Sequence, residues 1–153
     1  MTQRKPLVCV NGEIEQLQTG DSIMQEEDAS LTADATLVAG QIVYTSAADH
    51  VNKAKADASG TAIVLGLANA AIASGAAGPV QTGGIITLTT AQWDVVAGTT
   101  GGLVFNTPYF LSATTPGLMS ATAPSAVGQF VVELGVAIST TEFQIGVKKR
   151  VLL

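Results

Sequence analysis

Short apolar runs separated by Gly, Pro, Thr and Ser extend along the chain, and this punctuation predicts many short strands instead of a few long helices. Leu37 to Tyr44 predicts a strand bent or bulged at Gly40. From Val51 to Ala58, Lys53, Lys55 and Asp57 alternate with Ala54, Ala56 and Ala58, the period of a half-exposed strand. Thr61 to Leu67 is continuously apolar, as in a strand covered on both faces, whereas Ala68 to Gly78 mixes helix-favouring alanine with interrupting glycine. Val80 to Leu88 around Gly83-Gly84, Phe130 to Ile138 and Phe143 to Val147 predict further strands, the last two joined tightly through Ser139-Thr140-Thr141-Glu142. Thr90 to Gly98 reads as one helix of about two turns, with Thr90 as N-cap and Gly98 as its stop.

These elements predict an all-β fold, a small β-barrel or sandwich-like domain over residues 37–153 with at most one short helix. Residues 1–36 differ, carrying several glutamines and the acidic Glu26-Glu27-Asp28, with only Leu7 to Val10 and the run at Ile14 suited to pairing. They are expected to form an extended N-terminal arm that orders on neighbouring subunits. No solenoid repeat and no heptad pattern is present.

Charge changes the picture. From Ala58 through Val132, Asp94 is the only charged residue, whereas an ordinary surface carries charge at roughly a quarter to a third of its positions. Such a stretch either shows Thr, Ser, Gln and Asn to water or is covered by partner chains. The net charge of −5, with 7 Lys and Arg in all, argues against a nucleic-acid grip. Lys148-Lys149-Arg150 reads as a soluble flank of the last strand or as a basic anchor for an acidic patch on a neighbour. Thr61 to Gly78 is too interrupted for a membrane span, and the opening Met1 to Val10 lacks the apolar run of a signal peptide. The single cysteine, Cys9, permits no internal disulfide and suits a reducing cytoplasm.

Candidate chemistry is sparse. His50, the only histidine, is expected beside Asp49 as a polar residue at a strand end, and Cys9 between Val8 and Val10 as a small buried apolar residue. No Gly-x-Ser-x-Gly signature occurs. Glu26, Glu27, Asp28 and Asp34 lack the spacing of a calcium loop and read as a solvated acidic stretch. Gly83-Gly84 and Gly101-Gly102 lack the frame of a phosphate site and read as turn glycines, and Trp93 reads as a core anchor. No catalytic, cofactor-binding or metal-binding residue is therefore expected, and the chain is not expected to be an enzyme.

Two stretches carry a resemblance. Pro6-Leu7-Val8-Cys9-Val10-Asn11-Gly12-Glu13-Ile14-Glu15-Gln16-Leu17-Gln18-Thr19-Gly20-Asp21 resembles the leader of tail-fibre and virion proteins of tailed bacteriophages. The second series is Ala91-Gln92-Trp93-Asp94, Gly101-Gly102-Leu103, Tyr109-Phe110-Leu111-Ser112, Thr115-Pro116-Gly117-Leu118, Gly128-Gln129, Leu134-Gly135-Val136-Ala137 and Thr141-Glu142-Phe143. It is similar to a module found in the same class of virion structural proteins. Related sequences tend to carry glycine shortly before the Tyr-x-Leu-Ser step, where this chain has Asn106-Thr107-Pro108. The resemblance implies a capsid decoration or cement protein that binds the major capsid protein on the head exterior after synthesis in the host cytoplasm. The alternative it implies is a short head or tail fibre or adaptor. The three-fold lattice sites that the resemblance implies point to a homo-oligomer, a trimer, and the charge and the interrupted apolar runs predict no nucleic-acid or membrane partner.

Overall fold

The computed structural model describes residues 28–153 and, ahead of them, the backbone of two strands, β1 (Leu7–Val10) and β2 (Glu13–Gln16), paired antiparallel with Cys9 opposite Ile14. The expectations for the Cys9 side chain and for Glu26 and Glu27 lie outside the described residues. The chain continues through β3 (Asp28–Ala33), β4 (Ile42–Ala47), β5 (His50–Lys53), β6 (Val64–Ala68) and β7 (Ala77–Gln81). These five strands close into a barrel in the order β3-β5-β4-β6-β7, with β3 and β5 parallel and the other pairs antiparallel. β8 (Gly84–Thr87), the helix α1 (Thr90–Ala97), β9 (Pro108–Leu111), β10 (Met119–Ser120), β11 (Phe130–Val131), β12 (Glu133–Ala137), β13 (Glu142–Ile145) and β14 (Val151–Leu152) follow. Five of them form a second, antiparallel sheet in the order β10-β9-β12-β13-β8, and β11 pairs with β14. The fold is all-β with one short helix.

Side-chain alternation explains why there are two cores. Each barrel strand sends a small or β-branched residue inward, namely Ala33, Val43, Val51, Ala68 and Val80, packed with Leu37 and Ile72. Residues of opposite parity, including Ile42 and Leu67, turn outward and join Ile86, Leu88, Trp93, Val96, Tyr109, Leu111, Leu134, Phe143 and Ile145 in a larger core under the second sheet. β4 and β6 are thus buried on both faces over part of their length. Of the Thr61 to Leu67 run, expected as one strand covered on both faces, only Gly66 and Leu67 at its end are so placed, while β6 begins at Val64 and Ile63 is exposed. The alternation after Val51 holds only in part: Ala54 and Ala56 are fully buried, but β5 ends at Lys53 and Ala58 is exposed in the turn that follows.

Several boundaries differ from the sequence expectation. β3 falls within the span assigned to the arm, so the barrel takes in residues from Asp28 onward and not only from residue 37. Gly40, at φ 86°, makes a left-handed turn ahead of β4 instead of a bulge inside it. Val80 to Leu88 divides at Gly83-Gly84 between β7 in the barrel and β8 in the second sheet. The helix is capped by Thr89, not Thr90: Thr89 and Gln92 form a reciprocal capping box, and Gly98 closes the C-terminal end in the left-handed region.

Candidate attachment surface

The motif series of residues 90–153 forms the frame of the second sheet. Trp93 is fully buried and donates its indole N–H to the Thr141 carbonyl at 2.9 Å. The Phe143 ring lies 5.8 Å from Trp93 and 6.1 Å from Tyr109, edge-on to the latter. Ser112 ends the Tyr109-Phe110-Leu111-Ser112 step, and its hydroxyl accepts the N–H groups of Thr114 and Thr115, which turns the chain toward Gly117. Gly117 then donates to Ala54 and accepts from Ile42, stitching this loop to the barrel. Asn106, in the Asn106-Thr107-Pro108 step, has φ 58°. Asparagine is among the few non-glycine residues that adopt this region readily, so it serves the turn ahead of β9.

Asp94 accounts for its isolation in the uncharged stretch. Its carboxylate accepts the N–H groups of Gly102 at 2.8 Å and Gly101 at 3.0 Å and the Thr99 hydroxyl at 3.0 Å, holding the loop after α1. The backbone donors of Gly102 and Gly101, with the Thr99 hydroxyl, hold its pKa below the ordinary aspartate value. A carboxylate with a depressed folded-state pKa stabilises the fold above its unfolded pKa, near 3.9, and that contribution disappears as pH falls through the lower, folded value. Asp94→Asn should therefore lower the melting temperature at neutral pH, and the gap from the parent should narrow as thermal scans move below about pH 4. A constant gap down to the acid limit would contradict this role.

His50 opens β5, and its Nδ1 lies 2.7 Å from Asp34 Oδ1, not against its neighbour Asp49. The Ser46 hydroxyl donates to the other oxygen of Asp34. Ser46 comes first and His50 second among the causes that lower the Asp34 pKa. In a nucleophilic triad the serine sits on the imidazole nitrogen opposite the carboxylate. Here Ser46 and His50 share the carboxylate, and the arrangement ties the β4–β5 hairpin to the end of β3. Asp28 accepts from Asn69 at 3.1 Å. Among the described residues no group of His, Cys, Asp and Glu is placed to hold a metal ion, no buried side-chain polar atom is without a hydrogen-bond partner, and no helix is long and apolar enough to cross a membrane.

Two surface features stand out. The first is an uncharged apolar end of the second sheet. The buried Tyr109 accepts the Val104 N–H on its hydroxyl, and Asn106 donates to Ala137, which sets Val104 and Phe105 beside the strand end that carries Ile138. Phe105 is 70% exposed and Val104 57%. The second lies around residues 146–152, where Lys148-Lys149-Arg150 borders a groove of about 320 Å³ lined also by Ala62, Ile63, Val64, Val132 and Val147. Sequence reasoning singled out the basic residues but not the groove, which depends on where the neighbouring strands stop. The chain matches no known protein-family model, and no curated protein is significantly similar to it.

Proposed function

We propose that this chain is a virion structural protein, a capsid decoration or cement protein that binds the major capsid protein and reinforces the outer face of the head. The observation that carries the proposal is the exposed apolar pair Val104 and Phe105, in the stretch Ala58 to Val132 whose single charge, Asp94, is turned into its own loop, with the partly exposed Ile138 at the nearby strand end. Such an uncharged, partly aromatic surface has the character of an interface core and suits contacts between copies. The resemblance of residues 6–21 and 90–153 to tailed-phage virion proteins supplies the setting, and a trimer on three-fold lattice sites is the arrangement it implies. The motif residues described above build a frame, as an assembly module requires.

In this reading the arm ends before Asp28, because β3 belongs to the barrel. Removing residues 1–26 should leave thermal unfolding within about 4 °C of the full chain, a shift of the order of 1 kcal/mol or less. Binding to undecorated heads should fall at least tenfold, about 1.4 kcal/mol. Unchanged head affinity in the truncated chain would remove the arm from the mechanism. Binding to tails instead of heads would favour the fibre or adaptor reading.

A further inference from the structure

The groove beside Lys148-Lys149-Arg150 runs between two stretches of backbone that, among the described residues, each lack a strand neighbour on one side. On one wall, β8 pairs with β13 only as far as Gly84 opposite Ile145, so the chain beyond Ile145 loses its neighbour there. The N–H groups of Gly146 and Lys148 are taken by Leu134 and Glu133 on the β12 side. The intervening Val147 makes no backbone hydrogen bond to another described residue. Farther along, β14 pairs with β11 on one side, Val151 opposite Val131 and Leu152 opposite Phe130, and has no second strand neighbour among the described residues. On the other wall, β6 pairs with β4 from Val64 to Leu67 but meets β7 only at Leu67 and Ala68, so Val64 and Leu65 have no strand partner on that edge among the described residues. The nearly buried Val132 lies between the walls, and Ile63, 58% exposed, lines the rim.

The cations on this wall are under-compensated. Lys148 pairs with Glu133 at 2.7 Å. Arg150 donates to the Ser59 carbonyl and lies 5.4 Å over the Phe130 ring, neither of which supplies negative charge. Lys149 has no partner among the described residues. Open backbone edges ask for a strand, the apolar lining takes alternate side chains, and the cations ask for carboxylates. We infer that this slot receives an extended acidic segment of a partner protein, added as a strand along residues 62–65 and 146–152. A partner other than a second copy is the proposed occupant, because contacts between copies are assigned above to the end that carries Val104 and Phe105. The proposal rests on the attachment reading only for the source of the segment, which would be the capsid lattice.

The test is a selection of random peptides of about ten residues, long enough for one strand, on the full chain. The variant Lys149→Glu/Arg150→Glu serves as comparison, with unchanged thermal unfolding as the check that it folds. The selected peptides should carry carboxylates alternating with apolar residues. They should lose at least tenfold in affinity for the variant and weaken as salt is raised, and they should shift the amide resonances of Val64, Leu65, Val147 and Leu152. Selected peptides without acidic bias, equal binding to the variant, shifts confined to other strands, or no selected peptide at all would overturn the inference. So would self-association of the parent chain that the variant abolishes, since a second copy would then fill the slot. Peptide binding that meets these expectations while the variant still decorates heads normally would keep the slot and remove the attachment reading.

Discussion

Replacing Trp93 with alanine is expected to lower the unfolding free energy by about 3–5 kcal/mol, a large share of the roughly 5–15 kcal/mol that holds a domain folded. Trp93 joins the helix to the second sheet. Its ring is fully buried, tilted against Phe143, and packed in the core shared by barrel strands β4 and β6 and sheet strands β9, β12 and β13. Truncation opens a cavity where these layers meet and leaves the Thr141 carbonyl without the indole donor, although it also accepts the Leu88 N–H. Trp93→Phe should cost less than the alanine change, since it keeps an aromatic ring and loses the hydrogen bond and part of the packing area. Urea unfolding of the three proteins checks the order. A loss below about 1 kcal/mol for alanine, the mean for an arbitrary substitution, would mean that the core does not depend on this ring.

The second large effect concerns two glycines close together across one strand pair. Gly135 lies in β12 at φ 149°, and a Cβ there would collide with the Gln144 carbonyl on β13. Gly146, just past β13, has nothing within 4 Å of the place where its Cβ would stand. Gly135→Ala should therefore destabilise by on the order of 3 kcal/mol, through backbone strain and the shift forced on β13. Gly146→Ala should be neutral or stabilising by up to about 1 kcal/mol, because it removes only unfolded-state freedom. The opposite signs are the test. Equal losses at both positions would show that glycine entropy, not the close approach of β12 and β13, governs this region.

The parts of the fold legible in the sequence are those set by neighbouring residues. The helix shows itself through Thr89-Thr90-Ala91-Gln92 and Gly98, and even the misplaced cap lay one residue from a readable capping box. Ala54 and Ala56 betray their burial by alternating with charged residues. Barrel closure was hidden because it depends on β3, whose Asp28-Ala29-Ser30-Leu31-Thr32-Ala33 contains only small, polar and single apolar residues. Its strand character comes from distant partners: β7 along most of its length and β5 in parallel at Thr32 and Ala33. The same limit applies to the groove. Lys148, Lys149 and Arg150 are visible as a basic run, but the groove beside them depends on β8 ending at Gly84 and on β7 meeting β6 only at its end. The partnership of His50 with Asp34 likewise joins β5 to the end of its parallel neighbour β3, and the adjacent Asp49, at φ 58°, serves the turn between β4 and β5.

The proposed attachment to a capsid lattice is tested most directly by imaging virus particles from cells that make this chain and locating and counting its copies on them. The expected result is many copies at symmetric sites on the outer face of the head, with Val104, Phe105 and Ile138 at contacts between copies and residues 62–65 and 146–152 turned to the capsid protein. A handful of copies at the tail, or particles that lack the chain, would contradict a decoration role.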